Sequence, residues 1–366
     1  MSAAGSKGRR ACLIALFVLA VSTPTTWAAG DGALIRQVAA QMNTAGGASG
    51  AWVVDATTGR ALFARSAEVR RTPASVEKLL TTGAALDLLG PEQRLETAVR
   101  SDGVADEFGL LTGNLYLQGS GDPSFDTGDL LSLASGVRRA GIESVDGAIY
   151  GDETYFRAPA LVAARLRRML DAKGVLVEGG ARRGRTPTSS ATIATVKSPP
   201  LAKLIRHTNQ VSDNYYAEML LKGLGVHASG VGSTAAGITV VRRFEETVGL
   251  TSTIRDGSGL SRGNAISPHA VGRLLLAARQ KPWFDSFYRS LPLAGRSGTL
   301  RKRMRRTAAA GRCRAKTGTL IGVSGLAGYC RARSGRQFVF ALLMNGVSVW
   351  RARAAQDRIA AALAGA

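Results

Sequence analysis

Hydrophobic residues recur along the chain with two different periods, and the change of period predicts where helices and strands lie. A first helix is predicted by apolar residues spaced four apart: Leu34, Val38 and Met42. A hairpin follows, with apolar strands at residues 52–54 and 61–63 and a turn at residues 57–59. A second helix is predicted to begin near Thr72 and to end before Gly90-Pro91.

The C-terminal half combines the same kinds of element in another order. A helical pattern runs from Pro200 to Leu224, and a hairpin is predicted between Cys313 and Tyr329. A strand from Gln337 to Met344 and a helix from Trp350 to Leu363 complete the chain. Elements from both ends need a common core. We therefore predict an α+β fold in which the two ends build one antiparallel sheet with helices on its faces.

The middle of the chain has a different texture, with short apolar stretches and many glycines. The segment 179–190 is rich in Arg, Gly, Thr and Ser, a composition typical of a loop or a domain boundary. We predict that residues 29–94 and 186–366 form one domain. Residues 95–185 would then be a smaller domain inserted into it.

The first residues have the order of segments found in secretory signal peptides. Three basic residues (Lys7, Arg9 and Arg10) precede the apolar run Ala11–Val21, and small residues surround a cleavage position after Ala28. A membrane anchor is the alternative, but it would need roughly 20 apolar residues. This run has only eleven. We predict a signal peptide over residues 1–28 and an exported protein of the periplasm or cell envelope.

The cysteines and histidines support this picture in different ways. After removal of residues 1–28 the chain keeps two cysteines, Cys313 and Cys330, and an even pair in an oxidising compartment is a disulfide candidate. Both are equally far from a turn expected at residues 321–322, so they would face each other across the hairpin. The three histidines are scattered without metal-ligand spacing. We expect neither a metal nor another cofactor.

The net charge indicates an anionic partner. The formal charge of the whole chain is +22, and loss of the three basic residues at positions 7, 9 and 10 leaves +19. Such an excess attracts polyanions. In an exported protein, envelope polymers rich in carboxylate or phosphate fit better than nucleic acid. A solvated helix face is the alternative explanation for the densest run, at residues 301–306.

Three short motifs carry the candidate chemistry, and they occur in a fixed order. They are Ser75-Val76-Glu77-Lys78, Ser212-Asp213-Asn214 and Lys316-Thr317-Gly318. Each alone is weak, since such residues often form a surface pair, a helix cap or a turn. Together they match the set found in class A β-lactamases and penicillin-binding proteins.

The first motif predicts an activated serine. With Thr72 as the helix cap and Pro73 in the first turn, Ser75 lies near the positive end of the helix, on one face with Lys78. A partly desolvated lysine has a lowered pKa and is able to take the hydroxyl proton. The identity of the proton acceptor in this class of enzyme is disputed.

The other two motifs predict the opposite walls of a cleft. Ser212 would relay protons and Asn214 would hold substrate, both from a loop that enters a helix. The strand edge Lys316-Thr317-Gly318-Thr319 offers a cation and two hydroxyls to a peptide with a free carboxylate. Backbone N–H groups of Ser75 and Thr319 would form an oxyanion hole.

With these motifs, the sequence resembles D-alanyl-D-alanine carboxypeptidases and endopeptidases of the penicillin-binding protein 4 type. Further stretches that look like family signatures are Gly119–Pro123, Asp256–Ser261, Leu291–Leu300 and Ala315–Leu320. The resemblance implies the serine β-lactamase and DD-peptidase fold, acylation of Ser75 by D-Ala-D-Ala peptides of peptidoglycan, and acylation by penicillins. Lys78 would be the base, Ser212 and Asn214 would lie across the cleft, and Lys316 and Thr319 would contact the substrate carboxylate.

Two features depart from the family pattern. Ser75 and Ser212 are separated by far fewer residues than in the larger members, which implies a shortened insert. Glu77 inside the first motif is also unusual, although its position faces away from Ser75 and Lys78. Two other functions stay open: a β-lactamase, which would need a base for fast deacylation, and a non-catalytic β-lactam-sensing or envelope-binding protein.

Overall fold

The computed structural model describes residues 29–154 and 158–366, and the predicted signal peptide lies outside these residues. The α-helices have the following bounds: α1 Ala29–Ala45, α2 Lys78–Leu89, α3 Thr127–Arg139, α4 Pro159–Asp171, α5 Leu201–Gln210, α6 Asn214–Ser229, α7 Thr234–Thr247, α8 Pro268–Ala278, α9 Phe284–Ser290 and α10 Val349–Gly365. The strands have these bounds: β1 Ala48–Asp55, β2 Ala61–Arg65, β3 Glu96–Ser101, β4 Val104–Ala105, β5 Leu110–Thr112, β6 Leu115–Gln118, β7 Ser144–Val145, β8 Ile149–Asp152, β9 Leu176–Val177, β10 Ala181–Gly184, β11 Ala191–Lys197, β12 Cys313–Leu320, β13 Val323–Arg331 and β14 Gln337–Asn345.

The central sheet is built from both ends of the chain. Its five strands follow the order β12-β13-β14-β1-β2, and every neighbouring pair is antiparallel. The N-terminal β1 pairs with the C-terminal β14, with Trp52 opposite Ala341. The predicted α+β fold with a sheet shared by both chain ends is confirmed. Strand β12 lies at the edge, so one side of its backbone has no neighbouring strand.

Helices bury both faces of this sheet. Successive residues of a strand point to opposite faces, and accordingly Val54 packs in a core with residues of α2 and α8. Its neighbour Val53 packs in a second core with residues of α1 and α10. This two-sided burial explains why β1 and β14 have continuous apolar runs rather than an alternation of apolar and polar residues.

The inserted segment has its own core. Its strands form a five-stranded sheet in the order β10-β8-β6-β3-β11 and a smaller sheet in the order β4-β5-β7-β9, and residues of α3 and α4 pack with them. The predicted boundary at residue 185 is wrong, because β11 pairs with β3 and so continues this sheet to Lys197. The Arg- and Gly-rich stretch that indicated a loop contains β10, a strand at the edge of the sheet with two exposed arginines.

The basic run at residues 301–306 lies in turns, so the helix suggested as an alternative is not present there. Arg303 of this run pairs with Asp357 on α10, at 2.6 Å. Among the described residues, no single helix is long and apolar enough to cross a membrane. Helices α6 and α7 meet those two criteria only as a pair, across an 81° bend.

Candidate active site

The candidate nucleophile Ser75 lies in a short 3-10 helix, Ala74–Glu77, which runs directly into α2. Ala74 has a φ of 49°, in the left-handed region that residues with a side chain seldom adopt. Gly259 packs closely against this turn: a Cβ atom at position 259 would lie 1.9 Å from the carbonyl oxygen of Ala74. Backbone strain of this kind is common at functional sites.

The predicted helix cap at Thr72 is wrong. The Thr72 hydroxyl donates to the carbonyl oxygen of Arg262 at 3.2 Å, and the 3-10 helix has no side-chain cap. The first turn is fixed instead by long-range packing against β12 and by the loop that carries Gly259. Capping rules describe local bonds, so they do not detect a turn that distant segments hold in place.

The ammonium group of Lys78 connects three parts of the chain. Its Nζ atom lies 3.0 Å from Ser75 Oγ, 2.7 Å from Asn214 Oδ1 and 2.7 Å from the carbonyl oxygen of Ser258. The side chain is completely buried. The predicted pairing of Ser75 with Lys78 is therefore present, at hydrogen-bond distance.

Burial determines the protonation behaviour of Lys78. Desolvation lowers the pKa of its amine to about 8, although the negative charges of Asp256 and Glu218 act in the opposite direction. A lysine with this pKa is partly neutral near pH 7 and is able to accept a proton from a hydroxyl group. The short distance and the neutral fraction of Lys78 thus allow it to accept a proton from Ser75.

The loop over residues 256–261 presents the carbonyl group that Lys78 contacts. Glu218 on α6 accepts hydrogen bonds from the N–H groups of Gly257 and Ser258, at 3.1 and 2.9 Å. Asp256 accepts from Gly259 and Ser261, at 2.7 and 2.6 Å. Asp256–Ser261 was predicted only as a family signature and Glu218 was not predicted at all, because these partners lie far apart in the chain.

The second motif lies where α5 ends and α6 begins. Asp213 caps α6 by accepting from Tyr216 N–H at 3.1 Å, so the capping explanation holds for this residue. Asn214, the first residue of α6, directs its amide oxygen to Lys78. Ser212 has a φ of 62° and directs its hydroxyl away from the cap. Its Oγ atom accepts from Lys316 Nζ at 2.8 Å.

The third motif lies on the edge strand β12. Lys316 is completely buried, and desolvation, together with the nearby charge of Lys78, lowers the pKa of its amine well below the usual value. A Cβ atom at Gly318 would lie 2.4 Å from the carbonyl oxygen of Pro73 and 3.2 Å from Ser75 N. Only glycine allows the strand to approach the nucleophile's backbone so closely.

Two threonine hydroxyls continue this wall of the cleft. Thr317 Oγ1 donates to Thr299 Oγ1 at 2.8 Å, and Arg353 on α10 donates to Thr319 Oγ1 at 3.0 Å. Thr319 is exposed, as expected for a residue that contacts substrate. The structure thus brings the predicted catalytic and substrate-binding residues to one cleft between β12, the 3-10 helix and the start of α6.

The two cysteines lie at the far end of the same hairpin. Cys313 is opposite Cys330 in the register of β12 and β13, with Cα atoms 4.1 Å apart and sulfur atoms at bonding distance, 2.01 Å. Both side chains are buried in the core beneath α10. This end of β12 is therefore tied to its neighbour, three residues before Lys316.

Glu77 occupies an unusual place behind the cleft. Its carboxyl group is buried, and neither oxygen has a hydrogen-bond partner in the described part of the chain. Desolvation raises the pKa of Glu77 well above its usual value, and the charges of Glu245 and Asp256 add to this shift. Burial therefore favours the protonated, neutral form of this carboxyl group.

A cavity of about 960 Å³ opens beside Asn214. One wall is formed by α6, including Tyr215 and Met219, and the opposite wall by the inserted segment, including Asp122 and Phe125. Of the candidate site residues, Asn214 lines this cavity, which is large enough for several residues of a peptide.

Sequence comparison identifies relatives over most of the chain. The chain matches the D-Ala-D-Ala carboxypeptidase 3 (S13) family over residues 33–165 and 157–365. It is 28% identical to a D-alanyl-D-alanine carboxypeptidase of an Actinomadura species over 440 aligned positions, which cover 87% of this chain and 81% of that protein. Carboxypeptidase DacB of Mycolicibacterium smegmatis is 31% identical, over 85% of this chain and 79% of that protein.

Structural comparison gives the same fold. Penicillin-binding protein 4 of Haemophilus influenzae, solved with a bound β-lactam, superposes with a TM-score of 0.79 at 21% identity, over 88% of this chain and 98% of that chain. A Bdellovibrio bacteriovorus endopeptidase acylated by penicillin G superposes with a TM-score of 0.59 at 20% identity, over 84% of this chain and 90% of that chain. With matches that extend over most of its length, the chain belongs to the D-Ala-D-Ala carboxypeptidase 3 (S13) family of peptidases.

Proposed function

We propose that this peptidase is an exported serine-type D-Ala-D-Ala carboxypeptidase that forms an acyl-enzyme on Ser75. The observation that carries the proposal is the buried amine of Lys78, 3.0 Å from Ser75 Oγ, with a pKa lowered to about 8. A serine hydroxyl is a weak nucleophile without a base. Lys78 is the basic group in contact with Ser75, and its burial favours the neutral form.

In the acylation step, Ser75 transfers its proton to Lys78 as Oγ attacks the carbonyl carbon of the penultimate D-alanine. The N–H groups of Ser75 and Thr319 stabilise the negative charge that develops on the carbonyl oxygen. Support comes from Gly318, whose close approach brings β12 next to Ser75 N. The peptide C–N bond then breaks, and the released amine takes up a proton.

The hydroxyl of Ser212 is the proposed route for that proton. It accepts from Lys316, and it belongs to the same short loop as Asn214, which contacts Lys78. The proposed path runs from Lys78 through the Ser212 hydroxyl to the leaving amine. Water then attacks the ester and gives a proton to Lys78. The C–O bond to Ser75 breaks, and Ser75 Oγ takes that proton from Lys78, which returns the free enzyme.

The exposed wall of β12 is the proposed site for the terminal carboxylate of the substrate. Thr317 and Thr319 carry hydroxyl groups on this wall, and Lys316 is the buried cation of the same strand. The cavity beside Asn214 gives room for the peptide that precedes the scissile bond. Peptidoglycan peptides that end in D-Ala-D-Ala fit this arrangement, and cross-linked peptides would make the enzyme an endopeptidase. Penicillins, which imitate D-Ala-D-Ala, would acylate the same serine.

We also infer export to the cell envelope and contact with an anionic envelope polymer. The order of segments in residues 1–28 supports export. The segment 286–356 carries 15 Lys and Arg residues and no Asp or Glu. Within it, Arg312, Arg314 and Arg331 line a cleft of about 470 Å³ beside Tyr288, at the start of β12. Arg314 precedes Lys316 by two positions on β12, so a polyanion bound in this cleft would contact the same strand as Lys316.

Release of D-alanine from a soluble pentapeptide that ends in D-Ala-D-Ala tests the proposed function. The purified protein without residues 1–28 should release one D-alanine per peptide, and Ser75→Ala should abolish release while the protein stays folded by circular dichroism. Absence of release by the unmutated protein would contradict the proposal. Fast multiple turnover of penicillin in the same preparation would favour a β-lactamase instead.

A further inference from the structure

Arg353 lies at the outer end of the β12 wall. It belongs to the second turn of α10, is exposed, and donates to Thr319 Oγ1 at 3.0 Å. A guanidinium group has five N–H donors, so several remain for another ligand. Thr319 Oγ1 accepts in this contact, and its own hydrogen is therefore free to point into the cleft.

The helix that carries Arg353 is firmly held. Arg303 contacts Asp357 with two nitrogens, at 2.6 and 2.9 Å, and Gln356 donates to Ser324 Oγ on β13 at 3.1 Å. These contacts also occupy Asp357, which lies one turn after Arg353. In residues 29–154 and 158–366, Arg353 forms no ion pair with a carboxylate. Its charge is not neutralised by the protein.

The other cation near this wall is in a different situation. Lys316 is completely buried, its Nζ atom already donates to Ser212 Oγ and to the carbonyl oxygen of Thr317, and Lys78 lies close enough for repulsion. Two buried ammonium groups in one cleft are costly, so burial and the nearby charge of Lys78 favour loss of the Lys316 proton and lower the pKa of its amine well below the usual value. An arginine does not have this option, because it stays charged at all physiological pH values.

We propose that Arg353, acting with the Thr319 hydroxyl, supplies the positive charge that binds the C-terminal carboxylate of the substrate. Lys316 then serves the cleft mainly as a hydrogen-bond donor to Ser212. The inference rests on the proposed carboxypeptidase function and names the residue that makes the enzyme select a free terminal carboxylate. Guanidinium and carboxylate groups match in shape and form paired hydrogen bonds, which a single ammonium group does not.

The test compares two peptides, one that ends in a free D-Ala-D-Ala carboxylate and the same peptide as its C-terminal amide. Arg353→Gln removes the charge and keeps an amide donor for Thr319. We expect kcat/KM for the free acid to fall about tenfold or more, mainly through a higher KM. Loss of one hydrogen bond to a charged group weakens binding by about that factor. For the amide peptide, kcat/KM should change by less than about twofold, because Arg353 then has only a weak surface contact with the substrate.

Two further variants complete the design. Arg351→Gln changes an exposed arginine of the same helix that has no contact with Thr319, and it should leave both peptides within about twofold. Arg353→Lys should restore part of the preference for the free acid. An equal loss for acid and amide, or no loss for the acid, would overturn the assignment of Arg353. If the unmutated protein released neither D-alanine from the acid nor D-alaninamide from the amide, the proposed function itself would fail.

Discussion

At the scale of single residues, the site depends on buried charged groups whose neighbours come from distant parts of the chain. The sequence predicted that Ser75 and Lys78 share a helix face, because residues three apart are neighbours. It did not predict that Ser258 and Asn214 would also contact Lys78. Those contacts join segments separated by more than a hundred residues, and no local period encodes them.

The first prediction concerns the pH dependence of acylation. Only the neutral amine of Lys78 is able to accept the Ser75 proton, and burial lowers the pKa of this amine to about 8. As pH falls below 8, the neutral fraction falls, so kcat/KM should decrease by about tenfold per pH unit. Above that pH it should level off. Steady-state D-alanine release over a pH series measures this, and a flat profile between pH values of about 6 and 8 would exclude Lys78 as the base.

The second prediction concerns Glu77 and protein stability. Its pKa is raised in the folded state, so the folded protein keeps a proton that the unfolded chain loses above about pH 4.5. The free energy of unfolding therefore falls as pH rises from that value toward the raised pKa. Gln does not titrate, and Glu77→Gln should thus become increasingly stabilising, relative to Glu77, from acid to neutral pH. Urea denaturation at several pH values measures the difference, and a difference independent of pH would refute this account of Glu77.

At the scale of elements, the sequence predicted the strands that are buried on both faces of the central sheet, and it predicted the hairpin whose two cysteines are equally far from the turn. The β12–β13 hairpin has the expected register, because Cys313 and Cys330 are equally far from its turn. The end of the inserted segment was mispredicted, because β10 is an edge strand with polar residues and resembles a loop. The start of α2 was misplaced for another reason: its first turn is held by β12 and by Gly259, not by a local cap.

The third prediction concerns the disulfide between Cys313 and Cys330. The register of the hairpin places the two sulfurs at bonding distance. Cross-linking residues 17 apart restricts the unfolded chain and should stabilise the protein by about 3 kcal/mol in the chain-entropy model. The double variant Cys313→Ser, Cys330→Ser should lose about that free energy of unfolding. Two free thiols in the mass spectrum of the unreduced protein, alkylated without a reductant, would disprove the bond.

At the scale of the whole molecule, the dominant feature is positive charge concentrated beside the cleft. The net charge could be counted from the sequence, but the place in the fold where the basic residues gather could not be predicted from it. The acid-free segment 286–356 includes β12 itself, so the basic cleft at Arg312, Arg314 and Arg331 adjoins the reactive strand. Aligned positions outnumber the residues of this chain in the comparison with the Actinomadura relative, so that protein carries residues that this one lacks.

The fourth prediction follows from this placement. Sedimentation with intact cell-wall sacculi should fall steeply as salt rises, since exposed charges are screened over about 8 Å at physiological ionic strength. Changing Arg312, Arg314 and Arg331 to Gln should weaken sedimentation at low salt. The matched control removes the same charge from the inserted segment, at the exposed Arg182, Arg183 and Arg185. Equal effects of both triple variants, or binding insensitive to salt, would show that the cleft has no particular role.

The measurement that tests the central claim most directly is the site of attachment of a labelled penicillin. The proposed function requires that Ser75, which Lys78 contacts at 3.0 Å, becomes acylated. After incubation of the protein lacking residues 1–28, intact mass spectrometry should show one added penicillin per chain, and peptide mapping should place it on Ser75. Ser75→Ala should remain unlabelled while it stays folded. Stable label on another residue, or label retained by Ser75→Ala, would contradict the account.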